Sequence, residues 1–211
     1  MRLVAPVRIV LFGLSAAVGS LPAQAFTVSI SPATPRIIYL QVGVGAFSGL
    51  YNSGGTPLAN PTVNVVSVTV PTASVGTGVA QQMASDTGAT RSFYDNFLFC
   101  NAGQLYVGGF YRRTNTAAGQ GATLSANSSA PMSNGAGGTI PFTQVRWVSS
   151  GNSDSGAQPF PSGVFNGATQ TIGTIARNQW AESCMTFSYL NTTVPPGGTY
   201  NGTVTFTLTA P

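Results

Sequence analysis

Residues 197–211 read GGTYNGTVTFTLTAP. From Tyr200 onward two kinds of residue take turns. Tyr200, Gly202, Val204, Phe206, Leu208 and Ala210 fall on one side of an extended backbone, and Thr203, Thr205, Thr207 and Thr209 on the other. A side-chain period of two is the pattern of a strand with one face buried and one in water. Chain ends fray unless something ties them down, so a strand this regular implies a partner along its length. That partner is either its own sheet or a strand from another molecule.

The rest of the chain repeats the signal in short pieces. RIIYLQVGVGAF (36–47), TVNVVSVTVP (62–71), IPFTQVRWVSS (140–150), TQTIGTIA (169–176) and CMTFSYL (184–190) all read as strands set between Gly-, Asn- and Pro-rich turns. SFYDNFLFC (92–100) and QLYVGGFY (104–111), separated by NAG, are expected to form a hairpin. The tract 114–139 is rich in Gly, Ser, Asn and Ala, and is expected to be a surface loop or weak edge strands, the least ordered part of the body. ARNQWAESC (176–184) offers a weak helical pattern of a turn or two as the one exception to the strand signal. Many short strands with glycine and proline turns point to an all-β sandwich or barrel.

The first residues follow a different logic. Arg2 and Arg8 flank the start of a short apolar run, and AQA at 23–25 offers small residues for a cut, the three-part pattern of a secretory signal peptide. Residues 1–25 are read as that leader, 26–35 as an N-terminal extension and 36–211 as one sandwich domain. The apolar run is too short for a comfortable membrane span, and no later segment is long enough, so no span is expected after cleavage.

Without the leader, six arginines face four acidic residues, and the chain has no lysine and no histidine. The high pI of about 9.4 therefore reflects scarcity of charge rather than a basic surface. Only Arg112 and Arg113 adjoin, which is not the clustered stripe that nucleic acid requires. Histidine-dependent triads are excluded, and two thiolates alone do not complete a zinc site. Asp86 lies in ASDTGAT, which resembles the Asp-Thr-Gly-Ala of aspartic proteases. It follows QQMAS rather than an apolar strand, and a turn explains the triplet. No catalytic residue, metal site or cofactor is expected.

Cys100 and Cys184 are the only cysteines, both set in apolar strand-like surroundings. In an oxidising compartment they are expected to pair. Tyr51, Tyr94, Tyr106, Tyr111, Trp147 and Trp180 are the aromatics that could include a sugar platform. Trp180 beside Glu182 is the leading candidate pair, because a sugar site wants an aromatic face with a hydrogen-bonding edge.

Taken together, the leader, FTVSIS (26–31) directly after it, the β body and the final GGTYNGTVTFTLTA resemble subunits of chaperone–usher pili, closest to the spore-coat-U-like and alternate groups. The resemblance rests on about thirty residues at the two ends. It implies an immunoglobulin-like two-sheet sandwich short of one strand, completed by a donor strand from a neighbouring subunit. Phe26, Val28 and Ile30 would be the donor's inward residues, and Tyr200, Val204, Phe206 and Leu208 would line the acceptor groove. The implied partners are other copies or related pilins, with a periplasmic chaperone and an outer-membrane usher in transit to the cell surface. The alternative is a self-contained secreted carbohydrate-binding or adhesion module.

Overall fold

The computed structural model describes residues 27–114, 121–152 and 156–211. The leader and Phe26 lie outside these residues. Eight principal strands carry the fold: β1 Thr27–Ser29, β2 Ile37–Val42, β3 Leu105–Arg112, β4 Ala122–Asn127, β5 Val145–Ser150, β6 Thr169–Ile175, β7 Gln179–Tyr189 and β8 Thr205–Thr209. The larger sheet has the order β5-β7-β3-β2, extended beyond β5 by Gly163–Val164, with β1 and Gln81–Gln82 also pairing to β7. The smaller sheet has the order β6-β4-β8. All pairings are antiparallel.

The two sheets form a β-sandwich around one core. Leu105, Val107, Tyr111, Val145, Trp147, Met185 and Phe187 from the larger sheet meet Leu124, Ala126, Ile172, Ile175 and Leu208 from the smaller. Trp147 also donates its indole N–H to the Pro161 carbonyl at 2.9 Å, so its polar atom is satisfied inside.

The larger sheet is covered on its other face as well. There the long connection between β2 and β3 folds back, and Phe47, Tyr51, Phe93 and Tyr94 pack over Tyr39, Phe110 and Trp180. Burial on both faces explains why β3 and most of β7 are buried without alternation. It also explains Gly109. A Cβ there would lie 1.9 Å from the Tyr39 carbonyl oxygen, so only glycine fits where β2 crosses close.

Two expectations are corrected here, and the weak helical pattern is settled. The helical turn in 176–184 does not form, because Gln179–Tyr189 is the central strand and its side chains are needed on both faces. Within 114–139, expected as a surface loop or weak edge strands, β4 is instead the middle strand of the smaller sheet, with Ala122, Leu124 and Ala126 buried. The hairpin of 92–100 with 104–111 does not form either. Leu98–Cys100 pairs with Thr90–Arg91 instead, which leaves Cys100 over the second face of β7. Its partner there is Cys184, with an S–S distance of 2.02 Å and both residues fully buried. The expected disulfide is present.

Candidate functional site

The site begins with β8. Its threonines Thr205, Thr207 and Thr209 are exposed, whereas Leu208 is buried and Val204, Phe206 and Ala210 are half-buried against the main core. The alternation read from the sequence is therefore the actual division between core and solvent. β8 pairs with β4 from Thr205↔Asn127 to Thr209↔Thr123, and with no other strand among the described residues.

Across from β8 lies β2, the last strand of the larger sheet. It pairs with β3 from Ile37↔Arg112 to Val42↔Val107 and turns Leu40 and Val42, both half-buried, toward the same core. β2 and β8 approach each other, yet no ladder joins them. Arg36 reaches across and donates to the Pro211 carbonyl. Between them opens a cleft of about 390 Å3, lined by Arg36, Ile38, Leu208, Thr209 and Ala210. Each strand presents one edge that carries no ladder among the described residues, and Cα atoms of the two come within 8 Å of each other.

Of the residues expected to line a groove, Leu208 lines this cleft, whereas Val204 and Phe206 pack half-buried against the main core. Tyr200 does not line it. Its hydroxyl donates to the Pro196 carbonyl at 2.7 Å, and the Asn134 amide approaches it at 3.5 Å, so it closes a loop beyond the strand.

The expected donor residues lie elsewhere. β1 pairs with β7 of its own chain, Thr27↔Ala181 to Ser29↔Gln179, and the Ile30 amide donates to the Asn178 carbonyl at 2.9 Å. Val28 and Ile30 pack into the aromatic cluster on the second face of the larger sheet, away from Val204 and Phe206. Phe26 is outside the described residues. In the single chain, donor and groove residues are separated by the sheet itself.

Trp180 and Glu182 do not form a solvent-facing platform. Both are buried, Trp180 completely and Glu182 to 3% exposure, because the β2–β3 connection covers the face they share. The Glu182 carboxylate accepts three hydrogen bonds on Oε2, from Tyr106 Oη at 2.7 Å, Ser92 Oγ at 2.8 Å and Trp180 Nε1 at 3.0 Å. Gly108 leaves room for this knot, since a Cβ there would meet the Tyr106 hydroxyl at 2.6 Å. Burial raises the Glu182 pKa above the ordinary carboxylate value, although the three donors pull it down. Burial and the nearby carboxylate together push the Tyr106 phenol well up, and burial carries the Tyr39 phenol to about 12. The knot ties Ser92 of the covering connection to β3 and β7. Spacing hinted at the Trp180–Glu182 pair, two apart on one strand face, but nothing local announced the cover.

Asp86 accepts from the Val65 amide at 3.1 Å and the Asn64 side chain at 3.2 Å, fastening a loop. Nothing matches the chain among protein-family models, curated proteins or solved structures.

Proposed function

We propose that this protein is a structural subunit of a surface fibre assembled by strand donation, secreted through the periplasm. The observation that carries this reading is the pair of edges, β2 and β8, that no ladder joins, with a cleft between them lined by Arg36, Ile38, Leu208, Thr209 and Ala210. Strand order supports it. Counting β2, β3, β4, β5, β7 and β8 as the first to sixth strands, the larger sheet holds the first, second, fifth and fourth, and the smaller the third and sixth. With β1 and β6 left out of the count, although β6 pairs with β4 in the smaller sheet, this order agrees with an immunoglobulin-like sandwich that lacks a seventh strand beside the sixth. The place it would take is the opening between β8 and β2.

On this reading the segment 26–31 of a neighbouring copy fills the opening. Val28 and Ile30 would exchange their packing beside Trp180 for packing in the neighbour, so the gain is the difference between two buried positions. β2 and β8, whose Cα atoms come within 8 Å of each other, would part to about 9.5 Å to admit the strand, and backbone pairing along both edges would then set the register. A chaperone would hold the opening closed in transit, and an usher would exchange it for the next subunit. The self-contained adhesion module is the second reading, favoured by β1 resting on its own β7.

Deleting residues 26–31 separates the two. Strand donation predicts a chain that still folds, accepts an added FTVSIS peptide and ends fibres instead of extending them in electron micrographs. A full-length chain that stays monomeric, and that loses its fold on deletion with or without the peptide, would overturn the proposal.

A further inference from the structure

A second opening lies on the far side of the larger sheet, independent of the β2–β8 edge. It measures about 630 Å3, within the usual range for small-molecule sites. Its apolar side is aromatic. Tyr51 and Tyr94 stack with ring centroids 6.1 Å apart and planes 22° apart, and Phe110 packs on Tyr51 at 5.1 Å. Both tyrosines are half-buried while Phe110 is buried, so the tyrosines keep ring surface toward solvent above an apolar base.

The polar side is dominated by Arg112. Its guanidinium lies 5.9 Å from the Tyr51 ring centroid and donates to the Tyr51 hydroxyl at 3.1 Å. Its Nε is buried and has no hydrogen-bond partner. The acidic residue nearest in sequence to the stacked pair, Asp95, is turned to the Phe97 amide at 2.9 Å. Arg112 lines the cleft and makes no ion pair with a carboxylate among the described residues, so an anionic ligand there would meet a guanidinium that no acidic side chain neutralises. Ser31, Asn52 and Thr56 add exposed or half-exposed polar groups at the rim.

We propose that this cleft binds an acidic saccharide, with its carboxylate on Arg112 and the apolar face of a pyranose ring on the Tyr51–Tyr94 pair. A single cation held on an aromatic ring suits a monoanion better than a phosphate, which calls for several cationic or backbone donors. Stacked aromatics beside hydroxyl and amide groups suit a sugar, whose ring has one apolar face and a polar perimeter. Ser29, Ile30 and Ser31 wall the cleft while β1 rests on β7, so the site belongs to the chain with β1 at home. Donation of segment 26–31 to a neighbour would remove this wall, so the site is tested on the monomer.

The test is calorimetric titration of the full mature chain with galacturonic acid, glucuronic acid and N-acetylneuraminic acid, and with galactose and glucose as neutral counterparts. At least one acid should bind about tenfold or more tightly than the neutral sugars, and Arg112→Gln should erase that difference. Amide NMR shifts on titration should map to 29–31 and 51–56. Should Arg112→Gln fail to fold, Tyr94→Ser serves instead, and it should weaken acid binding while preserving the fold. Equal binding of acids and neutral sugars, no binding by any acid, a preference that survives Arg112→Gln, undiminished acid binding by Tyr94→Ser, or shifts confined to other regions would each overturn the assignment.

Discussion

The two strands β7 and β8 sit in one sandwich but have opposite surroundings. β7 is paired on both sides, with β3 and Gln81–Gln82 along one edge and β1 and β5 along the other. Nearly all of its residues are buried, because core lies on one face and the aromatic layer on the other. β8 is paired on one side only, and three of its five residues are exposed. Packing is concentrated around β7, whereas β8 keeps one edge without a ladder, and it is this edge that the proposed function gives to a partner.

Trp180→Ala should sharpen this contrast most. The side chain is fully buried and stacks on Phe110 at 5.5 Å, so its removal should cost about 3–5 kcal/mol, read as a lowered urea midpoint. A cost below about 1 kcal/mol would mean that the second face is loosely packed and that β7 is no better supported than β8.

Phe206→Ala comes next. Because Phe206 is only half-buried in the single chain, the expected cost is about 1–2 kcal/mol. In assembled fibres the same substitution should cost more, because a donated strand would complete the burial. Comparing denaturant midpoints of monomer and fibre checks this, and equal losses in the two forms would break the comparison.

The smallest effect at neutral pH is expected from Glu182→Gln, and it shows itself in a pH series. Burial raises the folded carboxyl's pKa, so the native state holds its proton more tightly than the unfolded chain does. Folding stability from this group is therefore greatest below the ordinary glutamate value. It falls as pH rises through the raised folded value and stays lowered above it. Glutamine keeps an accepting oxygen without the charge, so the variant should lack this step. Urea unfolding at a series of pH values reads it, and a step that persists in the variant would assign it to another group.

The same two strands show what was legible in the sequence. β8 could be read because one face is solvent, and threonine marks that face residue by residue. β7 could not. With both faces buried, Gln179–Cys184 has no period of two, and its mixture of Ala, Glu, Ser and Trp looks as much like a helical turn as a strand. β4 was hidden for a different reason: its inward residues Ala122, Leu124 and Ala126 are mostly small, and against Thr123 and Ser125 they scarcely alternate in hydropathy. The disulfide followed from compartment and count, but its role in tying the covering layer to β7 did not. The aromatic cleft draws Tyr51, Tyr94 and Arg112 from three separate segments, and no spacing could have joined them. Tyr51 and Tyr94 were visible only as members of a longer set of candidate aromatics. The edge of β2 was equally silent, because whether an edge is paired depends on which strands arrive beside it.

The central claim is that the edge of β8 facing β2 accepts a strand. Hydrogen exchange followed by NMR reads it most directly, on those amides of Thr205–Thr209 and Ile37–Val42 that do not bond to β4 or β3. In the isolated chain they should exchange rapidly. Adding a peptide of sequence FTVSIS, or allowing fibres to form, should protect them while leaving the interior amides of β7 unchanged. If they are already protected in the monomer, or if neither peptide nor assembly slows their exchange, the opening between β2 and β8 is not an acceptor and the account is contradicted.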